Sequence, residues 1–65
     1  MRSTFILVNR QHGVAVYPFI GRAGRADVTT DQTKTPVYLD GEDNPEIKAR
    51  LWSAVLKRQF SVEAL

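Results

Sequence analysis

The chain contains no cysteine. Disulfide staples and thiolate metal sites are therefore excluded. No apolar run approaches the ~18 residues of a membrane span. The first apolar run, FILV at residues 5–8, is too short for the core of a signal peptide. There is one histidine, His12, and no motif beside it supplies a nucleophile or a carboxylate partner. An exposed turn residue is the expectation for it. Residues 1–26 contain no acid at all. With neither a disulfide nor a leader to place it elsewhere, a cytoplasmic protein without membrane contact is expected.

What is present forms one domain, residues 1–65. So short a chain buries only about 60% of the surface that its unfolded form exposes. Without staples, such domains often gain stability by oligomerising. The net charge of +2 is mild, but it is laid out in blocks. Arg2, Arg10, Arg22 and Arg25 come first. Asp27, Asp31, Asp40, Glu42, Asp43 and Glu46 follow, with Lys34 among them. Lys48, Arg50, Lys57 and Arg58 come last, against Glu63. These blocks can pair within the fold or leave a basic surface for an anionic partner.

Residues 44–60, NPEIKARLWSAVLKRQF, read as the one helix. Pro45 suits the first helical position and Asn44 the N-cap. Acids gather at the positive end of the macrodipole, Lys57 and Arg58 at the negative end. The stop is unmarked: residues 61–63 either continue the helix or begin a frayed tail. At about 100° per residue, Ile47, Leu51, Ala54 and Val55 make one apolar face, and Ala49, Trp52, Leu56 and Phe60 a second. A surface helix needs only one such stripe. One face should meet the sheet. The other needs a folded-back tail, a second copy or a foreign partner.

Residues 3–10 read as a strand with both sides apolar, hence central or covered on both faces. The chain looks too small to cover both by itself. A turn ending in Gly13 leads to a second strand, residues 14–20, in which Pro18 marks an edge or an end. Tyr17 and Phe19 share one side, as core or as an aromatic platform. GRAGRA, residues 21–26, is either a solvated loop or an anion contact, since Arg forks suit phosphate. Its G-x-x-G follows a strand, which argues against a helix-flanked nucleotide clamp. Residues 28–30 suggest a short strand and residues 36–39 another. The acidic segment 40–46 fits a turn and helix cap; it lacks the spacing of a calcium loop.

The expected fold is α+β: an antiparallel sheet of three or four strands with one C-terminal helix, in the order β-β-(β)-β-α. The expected core is Phe5, Leu7, Val14, Val16, Val37, Leu39, Ile47, Leu51 and Val55, or the opposite strand faces. Leu51→Ala should then cost about 2–5 kcal/mol. The expected function is that of a non-enzymatic interaction protein, without metal or cofactor. It would present Trp52, Leu56 and Phe60 to a second copy or to a protein partner. The alternative is nucleic-acid binding by Arg10, Arg22, Arg25 and Lys34, with Lys57 and Arg58 in support. Catalysis is disfavoured, because a domain this small leaves little room for a pocket of ~300 Å³ or more. In size, lack of cysteine and lack of a catalytic motif the chain resembles the small accessory proteins of bacteriophages and mobile elements. That resemblance assigns no residue a role.

Overall fold

The computed structural model describes residues 3–65; Arg2 of the basic first block lies outside them. Strand β1, Thr4–Gln11, turns at His12 and Gly13 into β2, Val14–Ile20. Both turn residues have positive φ, 55° and 78°. That conformation suits a two-residue hairpin turn, and Gly13 adopts it without strain. Gln11 pairs with Val14 and Asn9 with Val16. From Tyr17 to Ile20, a run that includes Pro18, β2 pairs outward with β3, Ala26–Thr29.

The five-stranded antiparallel sheet runs β3-β2-β1-β4, where β4 is Tyr38–Leu39. The fifth strand, β5, Ser61–Ala64, also pairs with β1. Phe5 is paired on both edges, to Tyr38 and to Ala64, so β1 is the central strand. The helix α1, Pro45–Leu56, packs across β1, β3 and β5. The molecule is thus α+β, a small antiparallel sheet with one helix in its C-terminal third.

Side chains on β1 bury in both directions. Leu7 joins Tyr38, Ala49, Trp52 and Phe60 under the helix. Ile6 and Val8 pack with Tyr17 on the other side. The chain covers both faces itself, contrary to what its size suggested. The segment joining β3 to β4 must cross the sheet, and two bonds tie it to β2. Tyr17 Oη donates to Gln32 Oε1 at 3.4 Å, and Thr35 Oγ donates to the Pro18 carbonyl at 2.6 Å.

Two expectations are corrected here. The helix ends at Leu56, four residues early. Lys57 takes a left-handed conformation, φ 57°, and reverses the chain. That reversal drops Phe60 into the core, 5% exposed, and starts β5 in the stretch read as tail or helix. Ser53 secures the bend: its Oγ donates to the Ala49 carbonyl and accepts from the Phe60 N–H. The second correction concerns the core. Leu7 belongs to it, but Val14, Val37, Ile47, Leu51 and Val55 are all more than half exposed. The helix turns its Ala49, Trp52 and Leu56 side inward, where Trp52, the one aromatic ring on α1, packs with Tyr38 and Leu7. The large cost expected for Leu51→Ala lapses with this.

Candidate functional site

Inward, α1 is fixed by one buried polar bond. The Trp52 indole N–H donates to Tyr38 Oη at 3.0 Å. Each ring places an apolar body in the core and satisfies the other's polar atom. Burial pushes the Tyr38 phenol above its ordinary value, against the lowering effect of the Trp52 bond; Asp43 adds to the rise. Trp52, Leu56 and Phe60, expected as a partner-binding surface, therefore line the core. Trp52 and Phe60 are buried and Leu56 is half-buried against them.

Outward, the other face of the helix is left uncovered. Ile47, Leu51 and Val55 are 58%, 55% and 53% exposed. They are spaced four apart on a helix, so they form one stripe. Beside it, Ile20, Ala26, Leu51, Trp52 and Val55 line an apolar notch of about 210 Å³ between α1 and the β2–β3 end of the sheet. Ile20 is itself 56% exposed. The notch admits a side chain or two, less than the ~300 Å³ at which small-molecule pockets begin. The apolar pattern alone did not separate the two helix faces, since both were apolar. The presence of Trp and Phe on one of them was the available hint, because large rings contribute most when buried.

Charge is distributed along the same helix. At its start, Asn44 Oδ1 accepts from the N–H groups of Glu46 and Ile47. Asp43 Oδ2 accepts from the Leu39 N–H. These side chains are engaged in turn and cap, and no group of three or more metal-ligating residues occurs among the described residues. At its end, Lys57 and Arg58 share a cleft of about 550 Å³ with Arg10, Gln11 and Gln59. A second cleft, about 770 Å³, runs between α1 and β5 past Glu46, Arg50, Ser53 and Lys57. Both are broad grooves open to solvent and not enclosed pockets. Asn9 lines the first of them. Its Nδ2 donates to the Gln59 carbonyl at 2.8 Å, and its buried Oδ1 has no hydrogen-bond partner among the described residues.

The four cations of the nucleic-acid alternative do not share one site. Arg10, near the end of β1, is engaged by Glu63 of β5 through contacts of 2.8 and 2.9 Å. Arg22 and Arg25 stand on the turn between β2 and β3. That turn is closed by the Gly21 N–H donating to the Arg25 carbonyl, so GRAGRA is a built hairpin connection. Lys34 ends the short helical turn of Gln32–Lys34. His12 is exposed in the first hairpin turn.

No protein family model matches this chain, and neither a curated protein nor a solved structure matches it. Among the described residues, no helix is long and apolar enough to cross a membrane.

Proposed function

We propose that this chain is a non-enzymatic interaction module. It docks a protein partner, or a second copy of itself, on the outer face of α1. One observation carries the reading: Ile47, Leu51 and Val55 stand more than half exposed in a single stripe, with Ile20 beside them. Single exposed apolar residues are ordinary on protein surfaces, whereas a contiguous apolar stripe marks an interaction site. Helix stripes spaced at i, i+4 and i+8 are a recurring way for one protein to meet another. The inward face is already taken up by the sheet, which leaves the outer face available for a partner. Nucleic-acid contact has less support. Its cations stand at three places, and the charge of Arg10 is engaged by Glu63.

The test is photo-crosslinking from position 51 in the cells that produce the protein. A benzophenone amino acid replaces Leu51, and a control chain carries it at Thr33, on the short turn before β4. The reading expects a discrete adduct from position 51 and none from position 33. Equal or absent labelling at the two positions refutes it.

A further inference from the structure

The geometry points to an extended peptide segment of a partner protein as the occupant. It adds to the sheet antiparallel to β3, turns alternate apolar side chains towards α1, and is acidic at its C-terminal end. This inference rests on the outer face of α1 being a docking surface. Its first support is the free edge of β3. One edge is taken by β2, and no strand pairs with the other among the described residues. The register decides which groups point outward. The Gly21 N–H donates to the Arg25 carbonyl at 2.7 Å. Hydrogen-bonded and non-bonded pairs alternate along an antiparallel ladder. Ile20–Ala26 and Pro18–Val28 are therefore non-bonded pairs. Pro18 fits that place, having no N–H to give, and its carbonyl accepts from Thr35 Oγ. The N–H and C=O groups of Ala26 and Val28 accordingly face away from β2. The Val28 N–H is covered by Asp27 Oδ1 at 2.8 Å. The Ala26 N–H and both carbonyls have no partner among the described residues. A helix satisfies its main chain internally, so open edge groups select an extended partner.

The apolar notch is the second support. Ala26 and Val28 turn their side chains to the helix side, where both pack against the core. Residues directly opposite each other in a ladder share a face. Peptide residues bonded to Ala26 and Val28 therefore turn their side chains to the helix side as well. There the notch of about 210 Å³ lies between Ile20 and Ala26 on the sheet and Leu51, Trp52 and Val55 on the helix. Its walls are apolar, which asks for apolar residues at every second position of the peptide.

Charge fixes the direction. Arg22 and Arg25 are exposed on the turn that joins Ile20 to Ala26, and so stand at the end of the notch. Neither is in an ion pair among the described residues. β3 runs away from this turn, so a segment antiparallel to it finishes beside the two guanidinium groups. Acidic residues and a chain-terminal carboxylate are favoured there, whereas a parallel segment would bring its amino end to them. Asp27, the one acid on β3, alternates onto the face opposite the notch.

Amide hydrogen exchange followed by NMR tests this on the isotope-labelled chain, whose spectrum also shows that each variant is folded. The probe is the peptide Val-Thr-Val-Thr-Val-Glu-Glu with a free C-terminus, added up to about 1 mM. The Ala26 and Val28 N–H groups should exchange at least about tenfold more slowly with the peptide present. In the proposed register the valine N–H groups face β3 and the threonine N–H groups face solvent. N-methylation of the valines should therefore abolish the protection, and N-methylation of the threonines should leave it. Replacing the two glutamates by lysines should weaken binding by about tenfold or more, and Arg22→Glu with Arg25→Glu should reverse that preference. Absent protection, protection indifferent to which amides are methylated, or no effect of charge each overturn the extended occupant. So does protection of Ala26 and Val28 in the chain alone that grows with its concentration, which would put a second copy on the edge. The two readings fail separately. A chain that crosslinks from position 51 but gives the peptide no protection keeps the docking face and loses the extended occupant; a chain that does neither loses both.

Discussion

Leu7 and Leu51 carry the same side chain and should respond very differently to truncation. Leu7 is fully buried between the helix and the central strand, among Tyr38, Trp52 and Phe60. Leu7→Ala leaves a cavity there and should cost about 2–5 kcal/mol. Leu51 is 55% exposed, and Leu51→Ala should change stability by less than about 0.5 kcal/mol. Urea denaturation at concentrations too dilute for association measures both. A large loss for Leu51→Ala under those conditions would mean that the helix is turned the other way. The Trp52–Tyr38 bond argues for the observed rotation at the same scale. An indole N–H left unpaired in the core costs about 1–3 kcal/mol, and only this rotation brings it to the phenol oxygen.

Among the elements, α1 shows how unequal its two ends are. Its start is written in local chemistry: Asn44 caps, Pro45 fills the first position, and Glu46 sits in the first turn. Its end has no such signal. Helices commonly stop on a left-handed glycine, whereas here Lys57 takes that conformation with a side chain attached. The left-handed form costs about 1–2 kcal/mol for a residue with a Cβ, partly offset in glycine by its freer unfolded chain. Lys57→Gly should therefore raise stability by about 0.5–1 kcal/mol, seen as a higher urea midpoint in the dilute protein. An unchanged or lower midpoint would show that the reversal is held at no cost by Ser53 and the Phe60 anchor. Strand β5 was equally illegible. Its four residues, SVEA, are too few to declare a period, and they become a strand because β1 offers them an unpaired edge. Glu63 is then brought opposite Arg10, 53 residues away, which no local pattern could announce.

The molecule as a whole is small enough for one titrating group to matter. Folding buries the Tyr38 phenol and raises its pKa above the ordinary value. The sign follows from linkage. The unfolded chain releases this proton near pH about 10, and the folded chain only at higher pH. The contribution is complete below that point and is lost as pH climbs through the folded value. Thermal melts from about pH 9 to about pH 11 should show stability falling with pH, and Tyr38→Phe should show a shallower fall, though from a lower start because Trp52 loses its acceptor. Equal slopes in the two proteins would remove Tyr38 as the cause.

By itself the sequence determined the elements that local chemistry can specify. The apolar run at residues 5–8 makes a strand wanted on both faces, and Gly13 gives the hairpin its positive φ. Asn44 and Pro45 begin the helix, and the helix has more apolar surface than a thin sheet can cover. Each of these depends on residues close in sequence, where propensity and period act directly. The tertiary structure decided what depends on distant partners. It chose which apolar face of α1 turns inward, since both satisfy the same pattern and only Tyr38 and Leu7, far away in the chain, distinguish them. It made Phe60 core and the last residues a strand. It moved Arg10 from a set of free cations into an ion pair. The choice of face matters most for function, because burying Trp52, Leu56 and Phe60 is what leaves Ile47, Leu51 and Val55 facing outward.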